Sequence, residues 1–307
     1  MVSSRRSLAA LLAVMLGLGA CSGAVNSRYD KASGGDPAAV RAVLDAAPVA
    51  GTGALERSKA ALAIHRKGAV AIGAGYDVPL YSMKNPMTGE YTGFDASLAK
   101  MLAKYLTGKP DVQWVNVTSD TREALLENGT TDFTVATYQI TPQRARLVDF
   151  AGPYLIGGGA ILVRADNTSV HGLADLNGVT TATMPAVAAE ALQQQQPGAQ
   201  QVIFDSASQC LQALRQGRVD AFFLNSAILS GFVLKHEDVK FAGPPTKDAP
   251  FGIGMSKQDP ELKRVVDDWL RRIYADGSWA RLWRATIGTV ERHDPPKPPV
   301  IGSVPGS

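Results

Sequence analysis

The chain has 307 residues, of which 45% are hydrophobic and 19% charged, and a formal net charge of +3. This composition is ordinary for a folded protein, and the length allows one large domain or two of ordinary size with ample core. The small charge and the lack of any Lys/Arg-rich run give no basis for nucleic-acid binding.

Residues 1–20 have the pattern of an export signal: paired arginines, an apolar run too short to span a membrane, and small residues before a cleavage site. Leu18-Gly19-Ala20-Cys21 also resembles the bacterial lipobox, which implies that Cys21 becomes a lipidated N-terminus. Two acyl chains on one cysteine give stable anchoring. Ordinary secretion with cleavage after Ala20 is the alternative.

Two segments are too weakly patterned to predict a packed structure. The segment 21–53 is composed mostly of residues with small side chains and contains proline and glycine. This composition predicts a tether with a possible short helix at 37–45. Residues 292–307 are rich in proline and predict a disordered tail.

The first clear strand is predicted at 69–74, and the loop after it contains Tyr76 and Asp77. Gly93-Phe94-Asp95 then leads into a helix predicted at 96–106. An acid at the start of a helix has a simple explanation, because it complements the helix dipole.

A strand at 112–117 leads to a helix predicted at 123–128, with Arg122 in its first turn. A cation in that position opposes the helix dipole, so a bound anion is one explanation. A lone basic residue is more often a solvated charge, which makes Arg122 a secondary candidate for ligand contact.

The strongest signal for function is at Arg144. Residues 133–138 (FTVATY) predict a buried strand. Thr141 as cap and Pro142 as first residue predict the start of a helix, which places Arg144 at its third position. An anion held between the free N–H groups of that turn and the guanidinium explains a cation there. The alternative is a surface ion pair, for example with Asp149.

Strands and helices alternate from 159 to 249 at a spacing typical of βαβ units and a largely parallel sheet. Three consecutive glycines at 157–159 can absorb a backbone rotation. Apolar residues recur at helical spacing over 259–275 and predict an amphipathic helix.

The stretch 136–155, ATYQITPQRARLVDFAGPYL, and the Gly-Phe-Asp motif are similar to solute-binding protein family 3, the extracytoplasmic polar amino-acid receptors of ABC importers. The resemblance extends over roughly 54–290. It implies an α/β, two-lobed periplasmic-binding-protein-like (type II) fold. Two mixed, mostly parallel sheets with flanking helices are then joined by two hinge strands. In the family, the residue matching Arg144 binds the ligand α-carboxylate, and those matching Thr137 and Gln139 add hydrogen bonds.

On this resemblance, lobe 1 comprises residues 54–153 plus 252–291 and lobe 2 comprises 159–249. The hinges lie at about 154–158 and 250–253. The loop of Tyr76 and Asp77 occupies the place where the family lines its pocket.

This chain departs from the family at the position of the ligand ammonium group. Glutamine-binding relatives have an acid at the end of the first strand and another after a second-lobe strand, where this chain has Ala74 and Asn225. Asp77 is the nearest acid that could replace them. In the second-lobe turn, Val187 and Ala188 replace hydroxyl-bearing residues, although backbone N–H groups there can still bind a carboxylate.

The sequence therefore predicts a monomeric, lipid-anchored receptor on the extracytoplasmic face of a bacterial cell membrane, working with the permease of an ABC importer. Its ligand is predicted to be a small carboxylate-bearing solute, first of all a polar amino acid like glutamine or glutamate. No cofactor, metal or catalytic residue is predicted. Two alternatives stay open: an enzyme resembling the extracytoplasmic cyclohexadienyl dehydratases, and a degenerate receptor that acts as a sensor or docking protein.

Overall fold

The structure is a computed structural model that describes residues 35–118, 120–185, 187–246, 249–291 and 294–307. The side chains of Asp77 and Val187 lie outside this description. The predicted export signal, Cys21 and the first part of the predicted tether also lie outside the described residues. Within the described ranges, no helix is both long enough and apolar enough to cross a membrane.

The strands of the described residues are β1 (Val70–Ala74), β2 (Asp77–Val78), β3 (Ser82–Lys84), β4 (Tyr91–Thr92), β5 (Val112–Asn116), β6 (Phe133–Thr134), β7 (Asp149–Gly157), β8 (Gly159–Arg164), β9 (Thr180–Thr183), β10 (Gln200–Ile203), β11 (Ala221–Asn225), β12 (Val239–Phe241) and β13 (Ala249–Met255). The α-helices are α1 (Pro37–Ala46), α2 (Thr52–Leu55), α3 (Lys59–Lys67), α4 (Phe94–Thr107), α5 (Arg122–Glu127), α6 (Pro142–Leu147), α7 (Val187–Gln195), α8 (Ala207–Arg215), α9 (Ser226–Lys235), α10 (Pro260–Ala275), α11 (Ser278–Ala285) and α12 (Gly288–Glu291).

Lobe 1 is built on a sheet of strand order β5-β1-β6-β13-β7. Helix α10 shows how the sequence produces its packing. Asp259 caps the helix by accepting from the Glu261 N–H, and Pro260 occupies the first position. The apolar stripe of α10, including Trp269 and Leu270, is buried in the lobe 1 core as its periodicity predicts.

Lobe 2 is built on a second sheet of strand order β10-β9-β11-β8-β12. Its core is separate from that of lobe 1 and contains buried residues of β8, β11 and α8. The two-lobed α/β fold is therefore confirmed.

Two strands connect the lobes. β7 pairs with β13 in antiparallel register from Asp149 opposite Met255 to Gly157 opposite Ala249. The chain then passes through Gly158 into β8 of lobe 2. A Cβ atom on Gly159 would overlap the ring of Phe223, so close packing requires glycine here.

The sheets are mixed, but parallel pairings do not predominate among the described strands. In lobe 1, β1 pairs in parallel with β5 and β6, whereas β13 is antiparallel to β6 and β7. In lobe 2, β9 pairs in parallel with β10 and β11, whereas β8 is antiparallel to β11 and β12. In these two five-stranded sheets the antiparallel pairings all involve β8 or β13, the strands next to the crossings. A separate three-stranded sheet, β2-β3-β4, is antiparallel throughout.

The expectation of a tether up to residue 53 is wrong for its second half. The short helix predicted there is present as α1, and its residue Val43 is 4% exposed in the lobe 1 core. The Lys104 ammonium donates to the carbonyls of Leu44 and Asp45. The apolar residues of α1 fall on one side of the helix, so α1 packs against α11 and α4 instead of remaining in solvent.

The expectation of a disordered tail is also wrong for residues 301–304. The Gly302 N–H donates to the Gly152 carbonyl at 2.8 Å. Ile301 packs on the main core of lobe 1, and Val304 packs on a smaller cluster that includes Tyr138 and Phe150. A proline-rich segment forms no helix or strand readily, but its apolar side chains can still be buried against a preformed surface.

Candidate functional site: a turn of lobe 1 and the cleft beside the hinge

A tight turn, residues 136–139, forms the centre of the candidate site and interrupts the strand predicted at 133–138. The strand β6 ends at Thr134, because the chain bends at Thr137, which has a φ of 43°. This left-handed conformation is uncommon for a residue other than glycine. The Thr137 N–H donates to the Asp95 carboxylate at 2.6 Å, which holds the bend. Gln139 leaves the turn and forms a bridge with Phe251 of β13.

Arg144 is placed as its local sequence predicts. The Thr141 side chain caps α6 by accepting from the Arg144 N–H, and Pro142 is the first helical residue. The Arg144 Nη1 donates to the Gln139 carbonyl at 3.0 Å, and its Nε lies 3.4 Å from Glu123 Oε1. The side chain remains 26% exposed, so the guanidinium is fixed in direction and still accessible.

The alternative ion pair between Arg144 and Asp149 is not formed. Asp149 lies 3.9 Å from the Lys257 ammonium instead. The partner of Arg144 is Glu123, which sequence analysis missed. Glu123 directly follows Arg122 in the first turn of α5, which made it a possible partner. The local sequence, however, does not indicate that α5 packs against α6.

Arg122 lies under the turn and not on its surface. It is 6% exposed, its guanidinium is 4.2 Å from the centre of the Tyr138 ring, and its Nη1 donates to the Ala136 carbonyl at 3.3 Å. Burial, together with the nearby charge of Arg144, lowers the pKa of Arg122. Arg122 thus supports the turn, together with Arg144 on its other side.

A cavity of about 390 Å³ lies beside the hinge, between the turn and lobe 2. Lobe 1 contributes Gln139, and the crossing contributes Gly158. Lobe 2 contributes Ala188 and Asn225 together with apolar residues such as Met184. The structure therefore brings Gln139, Ala188 and Asn225 into one cavity, and links Arg144 to it through the Gln139 main chain.

Asn225 is committed in part to a structural role. It ends β11, and its Oδ1 accepts from the Ala227 N–H at 2.9 Å, which caps α9. Its Oδ1 keeps a second lone pair but carries no negative charge, and its NH₂ only donates. An ammonium group needs an acceptor, so the amide offers it less than a carboxylate would.

The loop after β1 lies at the edge of the candidate site. Tyr76 is 47% exposed, and Asp77 begins β2 opposite Met83 of β3. Pro79 lies against Gly231 of α9, so this loop already contacts lobe 2. Tyr76 is not among the described residues that line the cavity, and Val187 begins α7 next to Ala188.

Nothing in the described part of the chain groups three or more His, Cys, Asp or Glu side chains as a metal site requires. The polar groups of the site are instead a guanidinium, amides and backbone N–H and C=O groups. Such groups bind a small polar solute by hydrogen bonds and charge without a metal.

A two-lobed α/β fold, two crossing strands and a cleft with a fixed guanidinium beside it define the class of periplasmic solute receptors. The family model for bacterial extracellular solute-binding proteins, family 3, matches residues 70–288. The chain belongs to this family, and it is an extracytoplasmic solute receptor.

Similar proteins agree with this assignment. The chain is 32% identical over 260 residues to the glutamate-binding protein GluB of Corynebacterium efficiens, covering 80% of this chain and 88% of that protein. It is 31% identical to the ABC transporter glutamine-binding protein GlnH of Bacillus subtilis, covering 73% and 83% of the two chains. Among solved structures, an ancestral cationic amino acid solute-binding protein is 31% identical with a TM-score of 0.63, covering 73% and 97%.

Proposed function

We propose that the chain is the receptor of an ABC importer for a polar amino acid, glutamate-like or glutamine-like. The observation that carries this proposal is the Arg144 guanidinium, which is bound to the main chain of Gln139, a residue of the cleft cavity. A fixed, accessible guanidinium suits a carboxylate, because the two groups form paired, charge-assisted hydrogen bonds. Relatives named for binding glutamate and glutamine support the choice of solute.

Capture of the solute depends on lobe closure. A solute held by Arg144, Thr137 and Gln139 on lobe 1 gains further contacts with Ala188, Val187 and Asn225 only when lobe 2 approaches. These additional contacts stabilise the closed form by the difference in affinity between the two states. The permease then recognises the closed receptor.

The loop of Tyr76 and Asp77 completes the proposed site. The resemblance puts this loop at the pocket, and its contact with α9 through Pro79 supports a position between the lobes. Asp77 is the acid proposed to pair with the ligand ammonium. This role for Asp77 offsets the amide at Asn225, which is engaged in capping α9.

We also propose that the protein acts as a monomer held at the extracytoplasmic face of the membrane by lipid on Cys21. The lipobox-like sequence before Cys21 supports the anchor. The segment between Cys21 and α1 is long enough to keep the lobes clear of the bilayer and to reach a permease.

Isothermal titration calorimetry of the ligand-free protein against a panel of amino acids tests the proposal. L-glutamate, L-glutamine, L-aspartate, L-arginine and L-histidine cover acidic, amide and basic side chains. Saturable binding of glutamate or glutamine is expected, with weaker binding of the basic pair. Lack of binding across the panel would contradict amino-acid transport and favour a sensor or docking role.

One observation keeps an enzyme as a second candidate. A solved structure 30% identical to this chain, with a TM-score of 0.56, is described as an ancestral amino acid-binding protein and a precursor of cyclohexadienyl dehydratase. Such chemistry requires a positioned acid or base in the cleft. Asp77 is the one acid of the proposed site, and it is assigned to the ligand ammonium, so we expect the purified protein not to accelerate the conversion of prephenate or arogenate over hours.

A further inference from the structure

Asp95 is a buried acid whose position is not explained by the helix dipole alone. It is the second residue of α4, where an acid on the surface would complement the helix dipole. Instead it is fully buried, with 0% exposure. Burial raises the pKa of Asp95 from its ordinary value of 3.8 to about 6. A dipole alone does not explain why a carboxylate is kept in so costly a place.

The two oxygens of Asp95 bind two different parts of lobe 1. Oδ2 accepts from the Thr137 N–H at 2.6 Å, and Oδ1 accepts from the Tyr154 hydroxyl at 2.9 Å. Thr137 is the bend of the turn at 136–139. Tyr154 is fully buried in β7, three residues before the crossing glycines begin.

The bend at Thr137 needs to be held, because its φ of 43° is unfavourable for a β-branched residue. Arg122 and Arg144 fix the carbonyls of Ala136 and Gln139. Asp95 supplies the acceptor for the N–H between them. Three side chains from three helices therefore hold one short turn in a defined shape.

The link to Tyr154 connects this turn with the hinge strand. The Tyr154 carbonyl accepts from the Trp279 Nε1 at 2.8 Å, so β7 is fixed to α11 at the same residue. Asp95 thus joins the turn at 136–139 to a residue of β7 that is fully buried in lobe 1.

We propose that Asp95 is a positioning residue for the solute site. Its carboxylate keeps the turn at 136–139 in the shape that presents Thr137, Gln139 and Arg144, and it ties that turn to the hinge strand. Solute affinity then depends on a residue that touches no solute. This inference rests on the proposed function, in which the turn is the lobe 1 half of the site.

The test compares Asp95→Ala with Asp267→Ala, because an asparagine at 95 would keep an amide oxygen that can still accept from the Thr137 N–H. Asp267 is a matched control, since it is a buried lobe 1 acid, 5% exposed, that accepts from the Gly152 N–H of β7 at 2.9 Å but does not contact the turn. A purely structural role for Asp95 predicts that both variants lower the unfolding midpoint and neither changes affinity. The positioning role predicts binding of L-glutamate or L-glutamine about tenfold weaker in Asp95→Ala, from release of a left-handed residue, and unchanged binding in Asp267→Ala.

Hydrogen exchange of the Thr137 amide gives a readout that needs no ligand. In the ligand-free wild type this amide should be protected, and in Asp95→Ala it should exchange fast while the neighbouring Val135 amide, which donates to the Gly73 carbonyl, stays protected. A protected Thr137 amide in Asp95→Ala overturns the inference. If wild type binds neither probe, the proposed function fails, and this exchange measurement still decides whether Asp95 holds the turn.

Tyr154→Phe covers the case in which Asp95→Ala does not fold. It removes only the hydroxyl that donates to Asp95, and it leaves the Thr137 hydrogen bond in place. We expect a weakening of two- to threefold for the same probes, about half a kcal/mol. Wild-type affinity and wild-type Thr137 exchange in a folded Tyr154→Phe would overturn the link to the hinge strand.

Discussion

Replacement of Arg144 by alanine is the most direct test of the proposed solute site. Removing one partner of a hydrogen-bonded charge pair costs about 2–5 kcal/mol of binding free energy. The Arg144 side chain is 26% exposed before ligand binds, which favours the lower part of that range. We therefore expect a loss of about 2–3.5 kcal/mol, or roughly 30- to 400-fold in affinity.

The same substitution also has a structural cost. Arg144→Ala removes the hydrogen bond to the Gln139 carbonyl, worth about 0.5–1.5 kcal/mol, and an ion pair with Glu123, worth about 0–1 kcal/mol because both groups are partly exposed. The unfolding midpoint of the ligand-free protein should fall by a few degrees, since about 1 kcal/mol shifts a chain of this size by roughly 2–4 °C. The variant should remain folded.

Calorimetry with the best ligand of the panel, together with thermal unfolding, measures both effects. Arg146→Ala is the matched control, because it removes an exposed arginine of the same helix. Glu123→Gln removes only the ion-pair partner, and it should leave affinity within a few-fold of wild type. An equal loss from Arg144→Ala and Arg146→Ala, or no loss from Arg144→Ala, would refute the carboxylate-binding role.

Four further predictions follow from the site, the anchor and the tail. For an α-amino acid, Asp77→Asn should weaken binding by about 1.5–3 kcal/mol. Asn225→Asp should tighten it, because a carboxylate can cap α9 with one oxygen and accept from an ammonium with the other. Calorimetry with an amino acid and its deaminated analogue checks both. Unchanged affinity in Asp77→Asn, together with tighter binding of the deaminated ligand, would contradict the amino-acid proposal. Cys21→Ala should release the protein from the membrane fraction or stall its processing, whereas wild type found in the medium with an unmodified cysteine would rule out the anchor. Deleting residues 300–307 should lower the unfolding midpoint by several degrees, because roughly 1–2 kcal/mol of apolar burial is lost, and an unchanged midpoint in thermal unfolding would show that the tail adds no stability. Finally, the pKa of Asp95 is about 6 in the folded state, above its ordinary value of 3.8. Between these two pH values the folded state therefore binds more protons than the unfolded state. The contribution of Asp95 to the free energy of unfolding should then fall as pH rises from about 4 to 6. Urea unfolding measures the free energy of unfolding of wild type and of Asp95→Asn. The difference between the two should change by up to roughly 3 kcal/mol across that pH range, and a constant difference would contradict this prediction.

Local sequence signals predicted the placement of Arg144 correctly. The cap at Thr141, the proline at Pro142 and the third helical position of Arg144 are all confirmed, because each depends on residues within one turn of helix. The apolar stripe of α10 was predictable for the same reason. The two-lobed fold came from the family resemblance, which carries information about distant contacts that periodicity does not.

The turn at 136–139 could not be predicted from its own residues. Its residue types favour a strand, and a β-branched residue such as Thr137 rarely adopts a positive φ. The bend exists because Asp95 supplies an acceptor from 42 residues away along the chain. The same limit applies to Glu123, whose pairing with Arg144 depends on the packing of two helices. It applies also to Val304, which is partly buried on a surface formed by other segments.

The position of β13 determines the order in which the lobes can be completed as the chain emerges, N-terminus first, on the extracytoplasmic side. β13 lies between β6 and β7 in the lobe 1 sheet, although it is the last strand of the described chain. The strands of lobe 2, β8 to β12, all emerge before it. As the chain emerges from its N-terminus, lobe 2 can therefore assemble its sheet while the lobe 1 sheet still has a gap between β6 and β7. In a chain truncated just before Ala249, lobe 2 should resist proteolysis while the turn at 136–139 stays accessible to it.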